Sequence, residues 1–214
     1  MNSNNTIQKS NDQKNDNLGT VIYNAMVRNN HILVLGTAIA PVIVIANTLK
    51  NAAILALTFS VITFFTLLLS SFIPQRVVYT VRVIIYIAIG SLVYVPTSII
   101  ISSLFPQSIQ NMGIYFPLLI TNSFIIFHSD TTFLTEKKGR MILDLIFGII
   151  GYDIVVLLFG LVREIISTGE INGKVIALPM LFKAFYQPFG GFILLGIFAA
   201  VLRGVLLLIK KISN

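Results

Sequence analysis

Long apolar stretches constrain this chain more than any other feature. Several of them, among them residues 52–72, 81–105 and 141–166, approach or exceed the ~20 residues that an α-helix needs to cross a bilayer core. Only 11% of the 214 residues are charged, against about 25% in an ordinary soluble domain. The sequence therefore predicts an integral membrane protein with one membrane domain.

We predict an all-α membrane fold with six transmembrane helices. The spans are residues 31–49, 52–72, 81–105, 112–127, 141–166 and a sixth within 175–209. Residues 1–29 are polar and predict a disordered cytoplasmic tail without the layout of a signal peptide. The membrane domain is then residues 30–214.

The distribution of Lys and Arg predicts the orientation. With the N-terminus in the cytoplasm, eleven of these residues fall inside and three outside, with Lys183 near the start of the sixth span. This bias predicts both termini in the cytoplasm. The net charge of +7 belongs to this pattern. It does not indicate nucleic-acid binding, because no basic face with interleaved aromatic residues lies outside the spans.

Two of the spans are interrupted. The fourth contains Pro117 and closes on Thr121, Asn122 and Ser123, and the first contains Pro41 followed by Asn47. Proline removes a backbone donor, and a break at membrane depth survives only where protein or water satisfies the freed groups. Interrupted spans at matching positions of two three-span halves predict an inverted three-plus-three repeat with a site between the halves.

Asp153 is an ionisable residue near the middle of the fifth span. Such a residue costs at least about 2.5 kcal/mol at that depth. One interpretation is a gate for a cation or a proton. The other is a protonated or paired carboxyl that bonds across helices, for instance to Asn47, Asn122 or Tyr152. We therefore treat Asn47, Thr121, Asn122 and Asp153 as candidates for an intramembrane polar site.

The charged residues at the ends of the fifth span have simpler interpretations. Asp144 lies nine residues before Asp153, on roughly the opposite helix face, so the two do not form a carboxylate pair. Arg163 closes the span beside Glu164. We expect its guanidinium to reach the lipid headgroups.

Several site classes are excluded. The chain has no cysteine, which excludes disulfides, thiolate metal ligands and cysteine nucleophiles. The two histidines, His31 and His128, frame no haem or zinc site without further ligands. No phosphate-binding loop or nucleophile elbow is present. We predict no metal site, no catalytic residue and no cofactor bound by this chain alone.

Five motifs match those of one known family. They are residues 113–123, Lys137-Lys138-Gly139, Asp144 nineteen residues before Arg163-Glu164-Ile165, residues 188–196, and Asn30 with residues 38–41 and 47–49. The chain resembles the Rnf/Nqr membrane-subunit family, and within it the RnfE/NqrD branch. These proteins are subunits of ion-translocating complexes that link ferredoxin or NADH oxidation to ion movement. The resemblance implies a paralogous Rnf/Nqr membrane subunit and further complex subunits as partners.

The resemblance also implies an intramembrane [2Fe–2S] cluster between two paralogous subunits, each giving two cysteines. Those cysteine positions fall on Ala40 and Ser123 in this chain. Alanine is no ligand, and a serine oxygen is a poor replacement for a thiolate on iron. Asp153 also departs from the family, which has a small or hydroxyl residue there.

The resemblance implies a membrane subunit of an electron-transport complex that lacks its own iron–sulfur ligands and is itself non-catalytic. Two alternatives stay open. One is the substrate-binding membrane subunit of a vitamin or flavin transporter, by analogy of size and span number. The other is a purely structural subunit.

Overall fold

The computed structural model describes residues 39–74, 77–122, 124–126, 138–171, 174–175 and 183–212. The described chain is mostly helical. Its regular elements are α1 (Ile39–Ile45), α2 (Leu49–Ser70), α3 (Tyr79–Leu104), α4 (Pro106–Met112), α5 (Lys138–Thr168), β1 (Glu170–Ile171), β2 (Lys174–Val175) and α6 (Pro188–Ile212). Short 3₁₀ helices cover Gly113–Tyr115, Pro117–Thr121 and Lys183–Tyr186.

Three of the described helices are long and apolar enough to cross a membrane. They are α2, α3 and residues Ile142–Thr168 of α5. The apolar part of α6 is shorter, Pro188–Val201. The membrane character of the fold is thus confirmed, whereas six spans and an inverted repeat stay predictions. The proposed tail, the first part of the first span, Ser123 and both histidines lie outside the described residues.

The segment predicted as the fourth span is not one continuous helix. Gly113 has a positive φ of 49°, and two 3₁₀ helices lie on either side of Phe116. Pro117 begins the second of them, where its missing N–H costs nothing because the first turn has no partner for it. The broken backbone expected from Pro117 is present, as 3₁₀ turns.

The first two helices are separated by a short break. α1 ends at Ile45, and α2 begins at Leu49 with Thr48 as its N-cap. The Thr48 hydroxyl accepts a hydrogen bond from the Asn51 backbone N–H at 3.2 Å, and the Asn51 amide donates to Asn47 Oδ1 at 2.8 Å. A threonine hydroxyl that accepts from the backbone N–H three residues later is a typical helix N-cap.

The core lies between α2 and α5, which run antiparallel. Three contacts fix their register: Leu49 with Glu164, Ala52 against Gly160, and Ser60 with Asp153. Phe59 stacks on Tyr152 at a centroid distance of 3.7 Å and meets Phe124 edge-on at 5.6 Å. Both helices therefore bury one face in the same apolar cluster.

The remaining elements surround this pair. α3 packs against α2 and the 117–121 turn, and α1 contacts α2, α6 and residues 113–115. An antiparallel hairpin joins Glu170 to Val175 and Ile171 to Lys174 after α5, a small addition to the predicted all-α fold. Exposed apolar side chains such as Leu92 and Phe192 cover the outer faces of α3 and α6, as expected for helices in contact with lipid.

Candidate functional site

Arg163 is the most constrained charged residue in the described structure. Its side chain is fully buried, so the expected position at the lipid headgroups is wrong. The guanidinium donates to five backbone carbonyl oxygens: Phe185 (2.8 Å), Tyr186 (3.0 Å), Gln187 (3.1 Å), Ala46 (3.3 Å) and Ile43. All five carbonyls belong to, or follow directly after, the last turn of a short helix.

The physical reason for this burial is the break after α1. The last carbonyl groups of a helix have no partner within the helix, and in an apolar setting each unpaired group costs several kcal/mol. Arginine has five N–H donors in a rigid planar arrangement. Arg163 therefore satisfies the ends of α1 and of Lys183–Tyr186 together. It also holds these two chain ends against α5.

Glycine allows α6 to approach the guanidinium. A Cβ at Gly191 would lie 3.0 Å from both Cζ and Nη2 of Arg163, closer than such atoms normally pack. The Phe159 ring lies on α5 one turn away, 5.9 Å from Cζ. The beginning of α6, from Pro188, is thus packed onto Arg163.

Glu164 acts on the other side of the same break. Its side chain is buried, and Oε2 accepts a hydrogen bond from the Leu49 backbone N–H at 2.7 Å. A carboxylate is favourable at a helix N-terminus because the backbone N–H groups there carry partial positive charge. Since adjacent residues on α5 point in different directions, Arg163 serves the end of α1 while Glu164 serves the beginning of α2. We call these two residues the helix-break clamp.

We expect Glu164→Gln to lower the free energy of unfolding by about 1 kcal/mol, because the amide oxygen still accepts from Leu49 while the charge is lost. Glu164→Ala removes the acceptor as well, and about 2 kcal/mol is expected. Unfolding in mixed micelles measures both. Glu170→Gln, in the hairpin, is the matched control and should change stability by less than about 0.5 kcal/mol. Equal effects at the two positions would contradict the role of Glu164.

The resemblance assigns cluster ligands to positions 40 and 123. Ala40 is exposed in the first turn of α1, next to the buried Pro41, and α1 contacts residues 113–115 of the interrupted fourth segment. Ser123 lies outside the described residues. The methyl group of Ala40 offers no donor atom, and the chain contains no cysteine. The residues present therefore do not fit an iron–sulfur cluster.

The three uncharged polar candidates lie at the two breaks. Asn47 is half-buried and bonded to Asn51. Thr121 is exposed, and its hydroxyl donates to the Leu118 carbonyl at 3.3 Å. Asn122 is buried and accepts from the Phe124 N–H at 3.0 Å through Oδ1. Each of them thus shapes local backbone beside a break.

Asp153 bonds across helices, as one of the two interpretations expects, but to Ser60 on α2, whose Oγ lies 2.5 Å from Asp153 Oδ2. The structure shows no bond from Asp153 to Asn47, Asn122 or Tyr152, which the sequence suggests as examples of such a partner. Tyr152 is turned toward Phe59 instead. Sequence reasoning missed Ser60, Arg163 and Glu164 as site residues. For Ser60, the available signal is its position at the middle of the second span, as Asp153 is near the middle of the fifth.

Comparison with known proteins decides the family. The model of the family described as "Rnf-Nqr subunit, membrane protein" matches residues 18–199. This chain belongs to that family. The match covers α1 to α5 and the beginning of α6, including both breaks and the helix-break clamp.

Named relatives of this family member are similar over most of their length. The NqrD subunit of the Na⁺-translocating NADH-quinone reductase of Pseudoalteromonas translucida is 24% identical over 190 residues, covering 86% of this chain and 90% of the relative. The corresponding protein from Yersinia enterocolitica is 26% identical over 175 residues, covering 81% and 83%. The similarity therefore concerns a whole subunit and not one segment.

Proposed function

We propose that this chain is a non-catalytic membrane subunit of an ion-translocating electron-transport complex, paired with a second Rnf-Nqr subunit, and that it supplies no ligand to an iron–sulfur cluster. The family match over residues 18–199 carries the proposal. The near-complete coverage of the NqrD relatives supports the role of a full subunit. The absence of cysteine from the sequence supports the lack of cluster ligands.

The broken segments support a protein partner. Residues 113–121 form 3₁₀ turns instead of a continuous helix, and Ile114 is 77% exposed. Ala40, Gly113 and Thr121 are also exposed. Irregular backbone at membrane depth is tolerated where protein or water covers it. We infer that a second Rnf-Nqr subunit covers this broken face, which we define as Ala40 together with residues 113–121.

In this arrangement the two breaks lie at the contact between paralogous subunits. Thr121 would line the contact from this side, with Pro41 and Pro117 setting the backbone of the two breaks and the buried Asn122 bonded behind it. The helix-break clamp would hold the first break in place without a metal, because its donors and acceptor all belong to this chain. We further propose the inner membrane as the location, both termini in the cytoplasm, and six spans in an inverted repeat.

Site-specific photo-crosslinking tests the partner. A photoreactive amino acid is placed at position 40 or 121, and as a control at Leu92, which is 74% exposed on the outer face of α3. We expect positions 40 and 121, and not 92, to crosslink to a second protein of the Rnf-Nqr family in the native membrane. Crosslinks to such a protein from position 92 alone, or a bound flavin or vitamin with no family partner, would contradict the proposal.

A further inference from the structure

A second polar pair lies away from the helix-break clamp, in the middle of the membrane-spanning helices. Ser60 is at the centre of α2 (Leu49–Ser70), and Asp153 lies two residues from Val155, the centre of Ile142–Thr168. A rise of 1.5 Å per residue puts Asp153 about 3 Å from that centre. The pair borders an open groove of about 330 Å³ between α2 and α5. All other lining residues are apolar, among them Phe64, Phe65 and Ile149.

The hydrogen-bond geometry requires one more proton than Ser60 can supply. Ser60 Oγ lies 2.9 Å from the Ala56 carbonyl oxygen and 2.5 Å from Asp153 Oδ2. A serine hydroxyl carries a single hydrogen, so it cannot donate fully to both oxygens. If Asp153 is protonated, its O–H donates to Ser60 Oγ and the Ser60 O–H donates to Ala56. Both short contacts are then complete hydrogen bonds.

No side chain among the described residues forms an ion pair with Asp153. Within the described residues, Asp153 Oδ2 is hydrogen-bonded to Ser60 Oγ, whereas Asp153 Oδ1 is buried without a hydrogen-bond partner. Tyr152 beside it stacks on Phe59. The other titratable or charged residues on the helices and turns packed around the pair are Lys50 on α2, Tyr79, Arg82, Tyr86 and Tyr94 on α3, Lys138, Arg140, Asp144, Arg163 and Glu164 on α5, Glu170, Lys183, Tyr186, and Arg203, Lys210 and Lys211 on α6.

Distance along the helices separates Lys50, Arg163 and Asp144 from the pair. Lys50 and Arg163 are each ten residues along their helices from Ser60 and Asp153, which is about 15 Å, and Arg163 is engaged with carbonyl oxygens. Asp144, nine residues away, is of the same sign. An unpaired carboxylate at mid-membrane is costly, and the protonated acid avoids that cost.

We propose that Asp153 and Ser60 form a proton-binding site at the middle of the membrane. Asp153 carries the proton, and its O–H donates a hydrogen bond to Ser60 Oγ. The site is reached through the apolar groove. The ligand of this site is the proton. The groove is expected to admit apolar reagents that react with carboxylic acids. This site is built within one chain, so it does not depend on the partner proposed for the broken face.

The first test is labelling with dicyclohexylcarbodiimide, which is apolar, in the full chain in native membranes. The Asp153 carboxyl oxygen bonds to the central carbon of the carbodiimide, and the acid proton moves to one of the reagent's nitrogens. The acyl group then migrates from that oxygen to a nitrogen of the same adduct, which gives a stable N-acylurea and releases no leaving group. We expect Asp153 to be labelled, and labelling of its peptide to be lost in Asp153→Asn and kept in Asp144→Asn. A charged, water-soluble carbodiimide should label Asp153 at least tenfold less.

Replacing K⁺ by Na⁺ in the buffer is the second arm. A proton site predicts equal labelling in both salts. Protection of Asp153 by Na⁺ would overturn the proposal in favour of a metal-ion site, and an unlabelled Asp153 in the folded protein would overturn it outright.

Infrared spectroscopy of the unsubstituted chain, with ¹³C-labelled aspartate, gives a readout that needs no variant to fold. We expect the C=O band of a protonated, hydrogen-bonded carboxylic acid in the folded protein at neutral pH. In Ser60→Ala that band should shift to higher frequency because its acceptor is lost. If only carboxylate bands appear at neutral pH, the proposal is wrong.

Discussion

Replacing Arg163 with methionine is expected to lower the free energy of unfolding by about 3–5 kcal/mol, or to prevent folding. Methionine keeps much of the volume of the side chain and removes all five donors. The carbonyl groups at the ends of α1 and Lys183–Tyr186 then lose their partner in an apolar setting, where each costs several kcal/mol. Folded yield by size-exclusion chromatography and unfolding in mixed micelles measure the effect.

Two further variants separate charge from geometry. Lys50→Met removes a cation from an exposed position near the same break and should change stability by less than about 0.5 kcal/mol. Arg163→Lys keeps the charge with three donors instead of five, so an intermediate loss is expected. If the Arg163→Lys variant is as stable as the unsubstituted chain, the five N–H donors of the guanidinium are not needed. That result would contradict the role of Arg163 in the helix-break clamp.

The second large effect is expected at the crossing of α2 and α5. A Cβ at Gly160 would overlap Ala52 Cβ and lie 3.3 Å from the Thr48 carbonyl oxygen. Gly160→Leu should therefore force the two helices apart, with a loss of about 3 kcal/mol or more. Separation at this point also weakens the contacts of Glu164 with Leu49 and of Asp153 with Ser60. Unfolding in mixed micelles and labelling at Asp153 report the two consequences.

A methyl exchange tests whether contact between these two residues is the cause. Gly160→Ala alone should destabilise the chain, and Ala52→Gly combined with Gly160→Ala should recover more than half of that loss. The exchange keeps one glycine and one alanine in the two helices, so the helix-propensity difference of about 1 kcal/mol cancels. Ala52→Gly is also measured alone. If the effects of Gly160→Ala and Ala52→Gly on the free energy of unfolding simply add in the double variant, the two residues are not in contact.

The apolar pattern predicts spans over residues 52–72, 81–105 and 141–166, and α2, α3 and α5 cover them to within three residues at each end. This part of the fold follows from sequence because a helix must be apolar over the thickness of the bilayer. Pro117 likewise reveals a break, since proline cannot complete the helical bonding. Neither feature gives the 3₁₀ form of residues 113–121, which depends on what packs around them.

The charged residues show the limit of sequence reasoning. Arg163 at the end of an apolar run is typical of a side chain that reaches the headgroups, and that prediction is wrong. The carbonyls that hold it lie more than 100 residues earlier, at Ile43 and Ala46, and about 20 residues later, at residues 185–187. Only tertiary packing brings them together.

Ser60 illustrates the same limit in a milder form. A serine in an apolar helix commonly bonds to the carbonyl four residues back, as Ser60 does with Ala56. Nothing local links it to Asp153. The antiparallel register of α2 and α5 makes them neighbours, and matching the midpoints of the second and fifth spans would have predicted the pair.

We propose that this Rnf-Nqr subunit joins its complex without ligating an iron–sulfur cluster. The direct test is the iron and acid-labile sulfide content of the complex, purified anaerobically through this chain. Measurements on the unsubstituted protein and on Ser123→Ala, which removes the last oxygen at a family cluster position, should agree, with no [2Fe–2S] spectrum assigned to this chain. A loss of two iron atoms per complex in Ser123→Ala would contradict the account.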